Sequence, residues 1–230
     1  MLVVKSLRYA SASHLVFENA GASFASGHIS VVLGISGSGK TTLFRILSGL
    51  LSDFSGEVLW EGLPIKQEQV SYMQQKDALL PWRTVKKNIL LPTELGPRKQ
   101  KAVVQEQDFY QVVQAFGLAS LLDRFPDELS GGQRQRVVFA MQSLSPNPIL
   151  LLDEPFTSLD PLTKETLYQD VRRLAKEKGK TIILASHDVQ DCLEIGETFF
   201  AIKQHKLFPI FLDKQRGIAE LLQQMKEYLG

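Results

Sequence analysis

Cysteine occurs once in the 230 residues, at Cys192. No intrachain disulfide can form, and nothing in the cysteine usage indicates an oxidising compartment. No apolar run approaches the roughly 20 residues that cross a bilayer, and the apolar stretch at the start is too short for a signal peptide. We therefore expect a cytoplasmic chain that acts on a membrane, if at all, through a partner.

The chain also has almost no excess of one charge sign over the other. The 26 basic and 25 acidic residues leave a formal net charge of +1, with no sustained basic tract. Because duplex DNA requires a dense basic face to neutralise its phosphates, we expect no nucleic-acid partner. Hydrophobic residues make up 44% of the chain and charged residues 22%. These values are typical of a soluble globular protein, and the length suits one large α/β domain or a domain with an insertion.

Strand-like and helix-like stretches alternate along much of the chain. The runs at 29–33, 149–153 and 181–185 are apolar on both faces, as buried parallel strands are. The amphipathic stretches Lys40–Leu50 and Pro161–Lys178 are typical of helices. Right-handed crossovers between such strands place helices on both faces of the sheet. The predicted fold class is therefore α/β, with a mostly parallel sheet.

Two regions depart from this alternation. Short strand candidates near the N-terminus predict an antiparallel β layer, and the middle, about 75–145, predicts an inserted helical subdomain with a strong helix at Lys99–Phe116. We expect a single domain over 1–230, whose α/β core comprises 1–74 and about 146–230 and ends in an amphipathic helix at Lys214–Leu229. The N-terminal strand candidates are Leu2–Tyr9, Leu15–Phe17, Glu57–Trp60 and Val70–Met73.

A glycine-rich loop lies between the first buried strand and the first helix. Gly34–Thr41 fits the pattern G-x-x-x-x-G-K-[ST], whose curled amides form an anion cradle at a helix N-terminus. We expect Lys40 to reach outer phosphates and the Thr41 hydroxyl to ligate Mg²⁺. The alternative, a flexible Gly/Ser loop, is disfavoured by the flanking strand and helix. The expected binding residues are Gly34, Ser36, Gly37, Ser38, Gly39, Lys40, Thr41 and Thr42.

Two acidic residues, Asp153 and Glu154, come at the end of the second buried run. Asp153 is expected to hold Mg²⁺, directly or through water, and Glu154 to act as general base on the attacking water. Acids also end strands and cap helices for structural reasons alone. Their occurrence together with the phosphate loop favours the catalytic interpretation.

The segment Leu129–Gln133 reads LSGGQ. Ser130 is a plausible helix N-cap, and Gly131 and Gly132 leave the first helical turn bare, so that a second anion could approach it. A capped surface helix is the alternative. With Gln133, these residues form the second candidate anion site.

In this order, the phosphate loop, LSGGQ and the following LLLDEP segment resemble the ATP-binding subunits of ABC transporters, over nearly the whole chain. The resemblance implies a P-loop NTPase core that hydrolyses ATP with Mg²⁺. It also implies a head-to-tail dimer, with itself or a paralogous ATPase subunit, in which each phosphate loop and the partner's LSGGQ segment enclose ATP. We expect ATP to close this dimer and hydrolysis to open it.

The resemblance assigns further roles residue by residue. An aromatic residue near the start stacks on adenine, for which Tyr9 is the choice and Phe17 the alternative. The glutamine that contacts Mg²⁺ and the attacking water is matched by Gln74, with Gln75 beside it as the alternative. The expected metal ligands are thus Thr41, Gln74 and Asp153.

Two more positions match family motifs near the C-terminal half. Asp160, in the segment Ser158–Asp160, matches the loop that crosses the dimer interface. His187 matches the histidine that contacts the γ-phosphate, although a histidine after a strand can also be a structural hydrogen-bonder. The expected catalytic residues are Glu154, His187 and Gln74.

The resemblance also implies partners. The segment Leu79–Ile89, LLPWRTVKKNI, matches the surface on which an integral membrane permease docks, and its pattern is similar to importer ATPases for nitrate, sulfonate, taurine or pyrimidine-type nutrients. We expect bacterial nutrient import through a separate permease at the inner face of the membrane, in systems that can include a substrate-binding protein. The sequence departs from the family pattern at His28, Ile35 and 195–197, and these departures leave the subfamily undecided.

Two other functions compete with import. One is a soluble ABC-type ATPase of DNA repair or translation, but such proteins usually carry a long coiled-coil insertion or tandem cassettes. The other is a scaffold that binds ATP and barely hydrolyses it, which Glu154 and His187 disfavour.

Overall fold

A computed structural model describes residues 1–12, 14–74, 79–94, 105–157, 159–212, 223 and 228. Its larger sheet has six strands in the order β10-β9-β3-β8-β7-β6, all parallel except β10, which runs antiparallel to β9. The predicted mostly parallel sheet is thereby confirmed. The strands are β3 (Ile29–Leu33), β6 (Val70–Met73), β7 (Ile149–Asp153), β8 (Thr181–Ser186), β9 (Thr198–Lys203) and β10 (Lys206–Ile210).

The smaller sheet is antiparallel, as predicted, with the strand order β2-β1-β4-β5. One assignment to this layer is wrong. Val70–Met73 belongs to the larger sheet, where it pairs in parallel with β7 from Val70–Ile149 to Met73–Leu152. The strands of the smaller sheet are β1 (Leu2–Ser11), β2 (His14–Phe24), β4 (Ser55–Trp60) and β5 (Leu63–Pro64).

Strand periodicity divides the apolar core between the two faces of the parallel sheet. Val32 and Leu151 belong to the cluster shared with the antiparallel sheet and α1 (Lys40–Leu47), whereas Val31 and Leu150 belong to the opposite cluster, shared with the helical layer. Successive side chains point to opposite faces of a strand, so these continuous apolar runs are buried on both sides. The sheet is consequently a rigid platform for the loops at its edge.

The helices on the second face include the predicted insertion between β6 and β7. The described part of the stretch at 99–116 is helical from Glu106, and residues 99–104 lie outside the described residues, as does nearly all of the predicted tail helix. No helix among the described ranges is long and apolar enough to span a bilayer. The helices are α2 (Val85–Ile89), α3 (Leu91–Glu94), α4 (Glu106–Ala115), α5 (Gly131–Leu144), α6 (Pro161–Lys176) and α7 (Val189–Ile195).

Candidate active site

Loops after four parallel strands meet at one edge of the larger sheet. The phosphate loop follows β3, Gln74 follows β6, Glu154 follows β7 and His187 follows β8. Carboxyl ends of parallel strands share an edge, which is where ligands of α/β sheets bind. A cleft of about 370 Å³ lies there, lined by Val16, Ser36, Gly37, Gly39, Lys40, Thr41, Thr42, Asp153 and Glu154.

The phosphate loop requires glycine at two positions for different reasons. Gly39 has φ 110° and forms the N-cap of α1, without a side chain to cap the first amides. At Gly34, a Cβ atom would lie 2.2 Å from Ser38 Oγ. The bare amides at the start of α1 therefore remain available to an anion.

Lys40 lies folded within its own loop. Its Nζ donates to the Gly34 carbonyl at 2.7 Å and the Ile35 carbonyl at 3.2 Å, and it lies 3.9 Å from Glu154 Oε1. Burial lowers the pKa of the Lys40 ammonium, while the charges of Glu154 and Asp153 oppose that shift. The Lys40 ammonium is buried and bound mainly by two neutral carbonyls. Charged phosphate oxygens would form stronger hydrogen bonds with it than these carbonyls do.

Two oxygen ligands of the kind that Mg²⁺ prefers are adjacent. Thr41 Oγ1 donates to Asp153 Oδ2 at 2.9 Å, and Tyr72 Oη donates to the same oxygen at 3.0 Å. Burial and the Asp153 carboxylate raise the pKa of the Tyr72 phenol well above its usual value, so the phenol remains a donor. Sequence reasoning missed Tyr72; its only signal was its place on the strand beside β7.

Glu154 and His187 are brought together at the mouth of the cleft. Glu154 Oε1 lies 3.1 Å from His187 Nδ1, and the Glu154 amide donates to the Ala185 carbonyl at 2.9 Å. Glu154 has φ 51°, a conformation uncommon for residues other than glycine. The Glu154 side chain is 20% exposed and lines the cleft, and the His187 side chain beside it is 59% exposed.

The residues present fit a bound Mg-nucleotide. Ser38 Oγ is buried and has no hydrogen-bond partner within the described part of the chain. A buried hydroxyl without a partner is unusual in a native structure and is explained by a ligand or water. Together with the hard oxygens of Thr41 and Asp153, this matches an anion accompanied by a divalent cation.

None of the LSGGQ residues lines the cleft beside the phosphate loop. Ser130 is the N-cap of α5: its Oγ accepts from the Gln133 amide at 3.3 Å, and Gln133 Oε1 accepts from the Ser130 amide at 2.9 Å. Ser130 and Gly131 are exposed, and a Cβ on Gly132 would lie 2.4 Å from a methyl of Thr163. This helix start borders α6, whose N-cap Asp160 accepts from the Thr163 amide.

The residues expected at adenine and at the attacking water differ in burial and position. Phe17 is fully buried beneath Gly39, so its ring cannot stack on a base. Tyr9 is half-buried, pairs with Phe17 across β1 and β2, and is not among the residues that line the cleft, whereas Val16, which sequence reasoning missed, lines it. Gln74 is exposed just after β6. Gln75 and Ser158 lie outside the described residues.

The segment with the expected docking role presents one large exposed apolar side chain. Trp82 is 72% exposed, whereas Leu79 and Ile89 are buried, as ordinary packing predicts. The loop is held by Asn88, which is fully buried. The Asn88 side chain accepts from the Leu80 amide at 2.8 Å and donates to the carbonyls of Leu80, Arg83 and Thr84.

Comparisons with known proteins agree with this geometry. The formylaminopyrimidine import ATP-binding protein ThiZ of Halalkalibacterium halodurans is 36% identical over 196 residues, which cover 85% of this chain and 73% of that protein. The thiamine import ATP-binding protein ThiQ of Vibrio cholerae is 36% identical over 212 residues, which cover 90% and 87%. These relatives are named for other nutrients, so the comparisons do not support the expected special likeness to nitrate, sulfonate or taurine importers.

Solved structures share the fold. An ATP-binding subunit of an ABC transporter superposes with a TM-score of 0.81 at 22% identity, covering 98% of this chain and 99% of that one. A dimeric ABC transporter cassette superposes with a TM-score of 0.76 at 25% identity, covering 95% and 100%. The sequence profile of the ABC transporter family matches residues 17–157. The chain therefore belongs to the ABC transporter family, as one of its ATP-binding domains.

Proposed function

We propose that this chain is the ATP-hydrolysing subunit of a bacterial nutrient importer and drives transport through a separate membrane permease. The observation that carries the proposal is one cleft lined by the phosphate loop, the Thr41–Asp153 pair and Glu154, with His187 Nδ1 3.1 Å from the Glu154 carboxylate. These groups provide a phosphate-binding loop, a pair of metal ligands and a general base next to a histidine. Phosphoryl transfer to water requires such groups.

The chemistry follows from where these groups lie. Lys40 leaves the carbonyls of its loop and binds the outer phosphates of ATP. Thr41, Asp153 and Gln74 would hold Mg²⁺, which would neutralise charge on the phosphates. Glu154 takes the proton of the attacking water, and His187, 3.1 Å away, orients that carboxylate and contacts the γ-phosphate. Tyr9 is the proposed adenine contact, and Val16, which precedes its cross-strand partner Phe17, lines the cleft.

A second copy of the chain, or a paralogous subunit, completes the site. Ser130 and Gly131 are exposed at the start of α5, with Gly132 and Gln133 half-buried behind them, and none of the four lines the protomer's own cleft. Since ATP carries more negative charge than one loop neutralises, its γ-phosphate can bind this second helix N-terminus on a partner. Asp160, beside that helix start, lies in the proposed interface, and hydrolysis separates the two copies.

The proposed permease contact is the loop that Asn88 organises around Trp82. We place the subunit in the cytoplasm, peripheral on the inner face of the membrane, with a substrate-binding protein as a further partner of the importer. Residues 1–74 and about 146–230 are the proposed core, and about 75–145 the proposed helical subdomain. The relatives named for formylaminopyrimidine and thiamine make these two compounds the first nutrients to test.

Phosphate release from ATP tests the proposal. The purified chain should release inorganic phosphate from ATP with Mg²⁺ present, and removal of Mg²⁺ by a chelator should abolish release. Expression of the chain with its cognate permease should then produce ATP-dependent uptake of the nutrient into vesicles. A folded chain that releases no phosphate with Mg²⁺, alone or with its permease, would contradict the proposed function.

A further inference from the structure

A buried polar network lies behind His187. Asp191, on α7, is almost fully buried, and three donors reach its carboxylate: Lys164 Nζ at 3.0 Å, Tyr168 Oη at 2.5 Å and Ser186 Oγ at 3.2 Å. A carboxylate buried this deeply requires such partners, because an unpaired charge in the protein interior is strongly unfavourable. The network therefore has one well-defined geometry.

The network holds both chain neighbours of His187. On one side, Ser186 Oγ donates to Asp191 and accepts from the Asp188 amide at 3.0 Å. On the other side, the Asp188 carboxylate accepts from Lys164 Nζ at 2.9 Å and caps α7 by accepting from the Gln190 amide. The backbone that carries His187 is thus fixed from both ends, while the imidazole itself stays exposed beside Glu154.

Two members of the network, Tyr168 and Lys164, lie on α6, and Lys164 is the one next to the start of that helix. It lies in the first turn of α6, where its amide donates to the carbonyl of the N-cap residue Asp160 at 3.0 Å. Burial acts to lower the pKa of the Lys164 ammonium, but its hydrogen bonds to Asp188 and Asp191 outweigh burial and hold the pKa above its usual value. The ammonium is therefore charged whenever the enzyme works, and it bridges two elements that carry different parts of the site.

We propose that Lys164 is a positioning residue for ATP hydrolysis: by binding Asp188 and Asp191 together, it ties the segment that carries His187 to the first turn of α6. This inference rests on the proposed ATPase function. Within the described part of the chain, Lys164 does not line the cleft, and its ammonium forms ion pairs with Asp188 and Asp191, so we expect its effect on turnover to pass through His187. Small displacements of a group in the reacting geometry cost large factors in rate, which makes turnover the sensitive quantity.

The first experiment separates turnover from binding. Lys164→Met should lower kcat about 10- to 100-fold while the KM for ATP changes less than about threefold, because the phosphate loop is untouched. Lys164→Arg should restore most of the rate, since a guanidinium can reach both carboxylates. Lys176→Met, at the exposed end of the same helix, is the matched control and should leave both constants unchanged.

The second experiment asks whether the effect passes through His187. In a His187→Ala background, Lys164→Met should lower kcat no further, and the ring signals of His187 in NMR spectra should shift in Lys164→Met but not in Lys176→Met. A merely structural role would lower kcat by the same factor in both backgrounds, which would overturn the proposal. So would a folded Lys164→Met enzyme with normal turnover.

Two further variants keep the test decisive if Lys164→Met does not fold. Lys164→Met combined with Asp191→Asn removes both charges and leaves no buried ion unpaired. Tyr168→Phe keeps the ring that packs against Phe156 but removes one hydrogen bond to Asp191. Each should lower kcat severalfold without raising the KM for ATP, and normal turnover in both would refute the proposal. A wild-type chain that releases no phosphate would instead contradict the proposed function itself.

Discussion

Replacing Glu154 by glutamine tests the assignment of the general base with little disturbance of the fold. Glutamine has the same length, tolerates the φ of 51° as glutamate does, and leaves the backbone hydrogen bond to Ala185 intact. It keeps an oxygen that can meet His187 but has no basic carboxylate. The variant therefore removes proton abstraction and leaves the shape of the cleft.

The magnitude follows from the geometry. Loss of general-base catalysis lowers rates about 10²- to 10⁴-fold, which corresponds to about 3 to 5 kcal/mol of barrier. Binding should not weaken, because Glu154 lies 3.9 Å from Lys40 Nζ and competes with phosphate for that ammonium. Such a charge pair is worth at most about 4 kcal/mol at an effective dielectric constant of 20, which sets an upper limit of about 10³-fold on the gain in affinity. We therefore expect ATP affinity to stay equal or to rise within that limit.

Two assays check this prediction. Phosphate release should fall to the stated range, and size-exclusion chromatography with Mg-ATP should show the 25.8 kDa chain eluting at about twice its mass, because the dimer forms and does not reopen. Glu165→Gln, an exposed glutamate on α6, is the matched control and should behave like the wild-type chain. Normal hydrolysis by Glu154→Gln would refute the assignment of the base, and an ATP-bound monomer would refute the enclosed dimer.

Three further variants probe other parts of the molecule. Ser130→Ala should lower turnover more than it lowers ATP binding by the isolated monomer, measured by nucleotide fluorescence, whereas Ser130→Thr keeps the capping oxygen and should be milder. Asn88→Ala removes the buried side chain that pairs the Leu80 amide and the carbonyls of Leu80, Arg83 and Thr84 in this half-buried loop, so we expect about 2 to 3 kcal/mol lower stability in urea titrations and weaker permease binding. Burial raises the pKa of Asp170 from 3.8 to about 6. The unfolded chain thus releases this proton first, and stability falls as pH rises from 3.8 to 6, so Asp170→Asn should raise the melting temperature at pH 8 and lose that advantage below pH 4.

Several features of this protein could be predicted because they depend on residues close together in the chain. The phosphate loop is one, since glycines and a lysine at fixed offsets specify the turn and the helix start together. The capped start of α5 is another, because Ser130 and Gln133 are three residues apart and satisfy each other's amides. The buried strands could be identified from apolar runs of five or six residues.

Other features required the strand order. Val70–Met73 was assigned to the antiparallel layer because a four-residue run does not reveal its pairing partner, whereas the structure pairs it with β7. That pairing is what brings the Tyr72 phenol to Asp153, 81 positions away in sequence. Phe17 could be proposed for adenine from its position near the start, but only the packing of β2 beneath Gly39 shows that its ring is buried.

By itself, the sequence determined the local conformations: the phosphate loop, the capped helices, the buried strands and the order of motifs that marks the family. Tertiary structure alone decided which of these meet, such as Thr41 with Asp153 across 112 positions and Lys164 with Asp191 across 27. The physical reason is that turns and caps are specified by neighbouring residues, whereas contacts between distant segments depend on how the strands pair and how the core packs around them.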